Sequence, residues 1–107
     1  MGQNNVGMPI SGTDWRNDST AALFDALITL ESRDEAAAFF RDLCTRRELE
    51  EMSARWGVVR KLVEGIPYRT IAEETGVSTA TITRINQWLR HGTGGYQSML
   101  DRLAEGR

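Results

Sequence analysis

The segment 68-YRTIAEETGVSTATITRINQWL-89 constrains the fold more than any other part of the chain. Its spacing predicts two helices that cross at a steep angle through a three-residue turn. The crossing needs a small residue, which Ala72 supplies, and a residue that tolerates positive φ after the first helix, which Gly76 supplies. Apolar side chains then point inward and hold the angle: Ile71, Val77, Ile82 and Ile85. The segment therefore predicts a helix-turn-helix over about 68–90.

The first turns of the second predicted helix carry short polar side chains, with Ser78 placed to cap it. Short side chains let a helix approach base edges in the major groove of DNA, and an arginine can bind guanine or phosphate. Arg69 and Thr70, at the start of the first helix, are placed to contact the sugar-phosphate backbone. The candidate DNA-binding residues are Arg69, Thr70, Ser78, Thr79, Ala80, Thr81, Thr83 and Arg84.

Helical hairpins with Ala and Gly at these positions also occur as plain packing units, in which the threonines are simply solvated. A helical protein-protein interaction module without specific DNA binding is therefore the alternative hypothesis. The charge distribution permits DNA binding. The whole chain has a net charge of -2, but six basic and three acidic residues lie between positions 55 and 90. The excess of basic residues over positions 55–90 is compatible with phosphate contacts, although an uneven charge distribution is also common in other proteins.

The rest of the chain predicts an all-α fold of about six helices. Residues 1–17 lack periodicity and predict a flexible tail, and residues 18–107 predict a single helical domain. Asp18 or Ser19 is placed to cap a helix over about 20–31. Further start and stop signals are Ser32 and Asp34 for a second helix, the capping box from Thr45 to Glu48 for a long third helix, and Gly65 for its end.

The apolar stripes on the three N-terminal helices are broader than these helices can cover for one another. They run over residues 23–30, 36–43 and 49–63, and small domains bury proportionally little surface. The chain is therefore predicted to form a homodimer through its N-terminal helices. Trp56 and Trp88 lie on helical stripes and are predicted to be core residues.

The chemistry-bearing residues are few. Cys44 and His91 are the single cysteine and the single histidine, so neither a disulfide within the chain nor a metal site is expected. Stretches typical of a membrane span or a signal peptide are absent from the sequence, which predicts a cytoplasmic protein. A nucleophile with a nearby base in sequence is also absent, and we expect neither an enzyme nor a bound cofactor.

The segment from Leu43 to Tyr96 resembles the Trp repressor superfamily, and the motifs DLCT, STATITR and GTGGY resemble its YerC/YecD-type branch. The resemblance covers about residues 20–104. It implies an intertwined, all-helical homodimer with one helix-turn-helix per subunit, which binds double-stranded operator DNA as a transcriptional regulator, in the manner of a repressor. Two half-sites about one helical turn apart would follow from the twofold axis.

The resemblance also implies an effector pocket. In tryptophan-responsive members two arginines enclose the indole and a capping threonine helps to hold the ligand, and the matching positions here are Arg55, Arg84 and Thr45. The family has glycine and serine where this sequence has Ile85 and Trp88, whose side chains would fill the space that an indole needs. Tryptophan is therefore not expected as the effector, and Arg55 is interpreted as a phosphate contact or a surface residue.

Overall fold

The computed structural model describes residues 15–106, so most of the predicted tail lies outside the described residues. Every regular element in this range is a helix: α1 (Asp18–Leu27), α2 (Arg33–Leu43), α3 (Arg46–Val63), α4 (Tyr68–Thr75), α5 (Thr79–His91) and α6 (Gly95–Ala104). The all-α prediction is confirmed. The chain divides into two compact units, with the boundary between Leu43 and Cys44. None of the helices in residues 15–106 is long and apolar enough to cross a membrane.

The first unit contains α1 and α2, whose ends are defined by local hydrogen bonds. Asn17 caps α1 and forms a capping box with Thr20. The Thr20 N–H donates to Asn17 Oδ1 at 3.0 Å, and the Asn17 N–H donates to Thr20 Oγ1 at 3.0 Å. The predicted caps Asp18 and Ser19 are thus wrong, because they lie inside the helix. Ser32 Oγ accepts from the Glu35 N–H at 3.1 Å and opens α2, as predicted. Within this described unit, neither helix buries a single residue.

The second unit begins with α3, whose two ends follow the predicted signals. Thr45 Oγ1 accepts from the Glu48 N–H at 3.1 Å, and Glu48 Oε1 accepts from the Thr45 N–H at 2.8 Å, so the capping box is confirmed. At the other end Gly65 adopts a φ of 80°, which glycine tolerates without strain. Its N–H donates to the Leu62 carbonyl at 3.0 Å, and the Ile66 N–H donates to the Lys61 carbonyl at 3.1 Å. These two bonds form a Schellman cap.

The core of the second unit joins α3, α4 and α5. Its buried side chains among the described residues are Val58, Val59, Leu62, Ile71, Ile82, Ile85 and Leu89. The stripe predicted for α3 consists of Leu49, Met52, Trp56, Val59, Leu62, Val63 and Ile66. As a description of the buried face it was partly wrong, because it omits the fully buried Val58 and includes Met52 and Val63, which are 38% and 51% exposed. Trp56 packs against this core as predicted, and its ring lies 6.1 Å from that of Tyr96 on α6. The core prediction for Trp88 is wrong, because that side chain is 52% exposed in the single chain.

Candidate nucleic-acid interface

The turn between α4 and α5 is fixed by short-range hydrogen bonds. Gly76 caps α4 with a φ of 77°, and its N–H donates to the Ala72 carbonyl at 2.9 Å. The Thr75 hydroxyl donates to the Ile71 carbonyl at 2.7 Å and accepts from the Val77 N–H at 3.1 Å. Ser78 then caps α5, because its Oγ accepts from the Thr81 N–H at 3.2 Å. The backbone N–H groups of Gly76 and Val77 in the turn, and that of Thr81 in the first turn of α5, thus have local acceptors.

The angle between α4 and α5 is held by apolar packing on α3. Ile71 on α4 and both Ile82 and Ile85 on α5 are fully buried. Ala72 and Val77 are partly buried and pack against the same cluster. The inward positions predicted from the sequence are therefore confirmed. Because interiors are close-packed, α5 is held in one orientation on its neighbours.

The outer surface of α5 presents short side chains near its N-terminus. Thr79, Ala80, Thr83 and Arg84 are exposed. The Thr83 hydroxyl donates to the Thr79 carbonyl at 2.9 Å, which leaves its oxygen lone pairs free to accept. Ser78 is also exposed, but its hydroxyl acts as the helix cap. The structure therefore gathers on one exposed surface most of the α5 residues that were predicted to contact DNA.

Thr81 differs from the other predicted α5 residues because its side chain is only partly exposed. Its Oγ1 accepts a hydrogen bond from Ser78 Oγ at 3.0 Å and another from Arg84 Nη2 at 3.3 Å. The three side chains thus form a connected polar group from the cap to the first turns of α5. The sequence contained the spacing for this group, but it did not indicate which hydroxyl would accept from Arg84.

The start of α4 provides a second polar surface. Its N-cap is Pro67, which makes no side-chain capping bond. The first backbone N–H groups of a helix have no partner within the helix, so they can bind an anion such as phosphate. Arg69 lies in this turn and is exposed, and Thr70 is partly exposed. The N-terminus of α4 therefore has the chemistry that a phosphate contact requires.

Carboxylates are scarce on the two helices of this surface. The sequence of α5 contains no Asp or Glu, and neither α4 nor α5 has an acidic residue in its first turn. Glu74, near the end of α4, pairs with Lys61 of α3, with Nζ and Oε1 2.7 Å apart. This ion pair was not predicted, because the two residues belong to different helices. It compensates one of the two acidic charges of α4 within the fold.

The three residues of the predicted effector pocket occupy different places in the second unit. Arg55 lines a concave cavity of about 430 Å³ between α3 and the start of α5, together with Thr81 and Ile85. Thr45 and Arg84 are not among the residues that line this cavity. Thr45 caps α3, and Arg84 donates a hydrogen bond to the lining residue Thr81. The cavity wall carries both charges, since Arg47, Glu50 and Glu51 also line it.

Comparison with known proteins agrees with this architecture. The family model described as Trp repressor protein matches residues 18–104. The chain is 42% identical over 83 residues to the uncharacterized protein YerC of Bacillus subtilis, covering 78% of this chain and 80% of the relative. It is 31% identical over 84 residues to a Trp operon repressor homolog of Chlamydia trachomatis, covering 74% of this chain and 89% of that protein.

A solved structure supports the same assignment. The crystal structure of a TrpR like protein from Eubacterium eligens matches with a TM-score of 0.78 and 42% sequence identity. The match covers 83% of this chain and 92% of that chain. The resemblance inferred from the motifs is confirmed by sequence and by structure, and the chain belongs to the Trp repressor family.

Proposed function

We propose that the chain is a cytoplasmic, sequence-specific DNA-binding transcriptional regulator that acts as a homodimeric repressor. The observation that carries this proposal is the exposed surface of α5. That surface combines short side chains with Arg84, lacks carboxylates, and is held on a buried core. A helix with these properties can enter the major groove closely enough for its first turns to reach the base edges.

The two helices take different parts in the proposed complex. Thr79, Ala80 and Thr83 on α5 meet the bases, where methyl groups contact thymine and hydroxyls bond to bases or phosphates. Arg84 binds guanine or a phosphate. Arg69, Thr70 and the uncapped N–H groups of α4 bind the sugar-phosphate backbone and set the position of α5 in the groove.

The first unit supports the proposal of a homodimer. Neither α1 nor α2 buries a residue, although both carry apolar stripes; in this described unit Ile28 is 82% exposed, Leu43 50% and Phe24 44%. Exposed apolar surface of this kind marks interaction sites. Residues 15–43 contain three basic and six acidic side chains, which makes them poorly suited to contact phosphate. We therefore assign this unit to the dimer interface, and the twofold axis then presents two copies of α5 to two half-sites.

The cavity beside α5 bears on the effector. Ile85 is fully buried and lines the cavity, at a position where tryptophan-responsive members have glycine. A filled position at this wall favours DNA binding that does not require tryptophan. From the sequence, the Trp88 side chain was also predicted to fill the space that an indole needs. That side chain is half exposed on α5, so it supports the exclusion of tryptophan less strongly than Ile85 does.

The proposal is tested by selection from a pool of random duplex DNA with the purified protein, with and without tryptophan. We expect the wild type to enrich one duplex family in both samples. The triple variant Thr79→Ala, Thr83→Ala, Arg84→Ala changes only exposed side chains, so its melting temperature should remain within a few degrees while enrichment is lost. Enrichment by this variant equal to that of the wild type would refute the assignment of α5.

Salt dependence separates the proposal from the alternative of a protein interaction module. Each phosphate that the protein neutralises releases counterions, so the logarithm of the DNA affinity falls by about 0.9 per phosphate for each tenfold rise in salt. An apolar protein interface would respond only weakly to salt. A failure to enrich DNA at any salt concentration would favour the interaction module.

A further inference from the structure

We propose that Thr81 is a positioning residue that holds Arg84 for DNA binding and accepts no hydrogen bond from the DNA itself. This inference rests on the proposed function of α5 and assigns one of the eight candidate residues a different role. It concerns the polar group formed by Ser78, Thr81 and Arg84.

The hydrogen bonds of Thr81 leave its oxygen no capacity for a further donor. A hydroxyl oxygen has two acceptor lone pairs, and Thr81 Oγ1 accepts from Ser78 Oγ at 3.0 Å and from Arg84 Nη2 at 3.3 Å. Its neighbour Thr83 differs, because that hydroxyl donates to the Thr79 carbonyl and has both lone pairs available. Of these two threonines, therefore, Thr83 is the one equipped to accept a bond from a base.

The burial of Thr81 points to the same role. Thr79, Ala80, Thr83 and Arg84 are exposed, whereas Thr81 is partly buried. It lines the cavity together with Val77 and Ile85, on the side of α5 that faces α3. The side chain of Thr81 thus lies beside the surface that enters the groove and not on it. Its contact with the DNA-binding surface runs through Arg84.

Holding Arg84 in place has a physical consequence for binding. A free arginine side chain samples many rotamers, and it loses this freedom when it binds. The bond from Arg84 to Thr81 spans three residues along the helix and holds the guanidinium over the first turns of α5. Ser78 fixes Thr81 in turn, since it both caps the helix and donates to Thr81 Oγ1.

The first experiment measures affinity for an enriched duplex. Thr81→Val keeps the branched shape and removes the acceptor, and Thr81→Ser keeps the acceptor. We expect Thr81→Val to lose affinity by up to about tenfold, because a mobile Arg84 must then be immobilised when it binds, and Thr81→Ser to remain within about twofold. In an Arg84→Ala background, Thr81→Val should change the affinity less than about twofold. An equal loss in both backgrounds, or no loss in either, would overturn the proposal.

The second experiment needs no DNA. The ¹⁵N relaxation of the Arg84 Nε–H group in the free protein reports how firmly the guanidinium is held. We expect Thr81→Val to increase its mobility and Thr83→Val, the matched control, to leave it unchanged. Equal mobility in wild type and Thr81→Val would contradict the positioning role. If the wild type enriches no DNA, the proposed function fails, and this measurement still decides whether Thr81 holds Arg84.

Discussion

The two units of the chain contain similar helices but differ in how those helices are stabilised. In residues 15–43, α1 and α2 have well-formed caps and apolar stripes, yet they bury no residue. In residues 44–106, α3, α4 and α5 share one core in which Val58, Val59 and three isoleucines are completely buried. Local signals therefore suffice to place helices in both units, but only the second unit has tertiary burial of its own.

The difference indicates separate roles for the two units. Short helices are marginal in water without tertiary packing, so α1 and α2 need a partner surface. The second unit holds α5 rigidly, as a DNA-reading helix requires. We infer that the first unit forms the dimer interface and that the second unit binds DNA. Substitutions in the core, on the apolar surface of the first unit and at the helix caps should then have different consequences.

The core of the second unit should be the most sensitive part of the chain. Ile71→Ala removes a fully buried side chain at the junction of α3, α4 and α5, and should cost about 2–5 kcal/mol of unfolding free energy. Ile71→Val removes one methylene and should cost about 0.5–1.5 kcal/mol. Urea unfolding at one fixed protein concentration measures both, since the stability of a dimer depends on concentration. If both variants lost a negligible free energy of unfolding, this core would not be what stabilises the second unit.

Ile28 should matter for association although it is 82% exposed in the single chain. Ile28→Asp puts a charge on the apolar surface of the first unit, and we expect the dissociation constant of the homodimer to rise at least tenfold, about 1.4 kcal/mol. Thr29→Asp adds the same charge at the next residue and serves as the control. Sedimentation velocity at micromolar concentration compares the variants. A stable monomer of the wild type would contradict the assignment of the first unit to the dimer interface.

The caps should show the smallest effects, and the units should differ in where those effects appear. Thr45→Ala and Asn17→Ala each remove a capping box, at a cost of about 1 kcal/mol. For Thr45, which opens the helix that carries the core, the loss should appear in global unfolding. For Asn17 we expect faster amide hydrogen exchange in α1 with little change in the second unit. Identical global losses for both variants would mean that the two units unfold as one.

Much of the second unit was predictable because its signals are local. The reciprocal bonds of Thr45 and Glu48, the positive φ of Gly65 and Gly76, and the cap at Ser78 each depend on residues a few positions apart. The bounds of α3 and α4 and the start of α5 therefore followed from the sequence. The start of α1 did not, because Asn, Asp and Ser cap about equally well. Thr20, which completes the capping box, selects Asn17.

The errors in the core arose from tertiary packing. Both α4 and α5 pack against α3. The buried face of α3 is therefore wider than one helical stripe and includes both Val58 and Val59. On α5 the buried side runs through Ile82, Ile85 and Leu89, which leaves Trp88 beside it and half exposed. The role proposed for Thr81 depends on the hydrogen bonds that join Ser78, Thr81 and Arg84. The spacing of these residues in the sequence does not determine the directions of those bonds.

The number of chains bound to one enriched duplex, measured by sedimentation velocity at about physiological salt, decides whether the two units have these separate roles. The division of roles predicts two chains on each duplex, whose enriched sequence is an inverted repeat with half-sites about 10 base pairs apart. One chain on a duplex without symmetry, or a duplex that sediments alone, would contradict the claim that the first unit pairs two copies of α5.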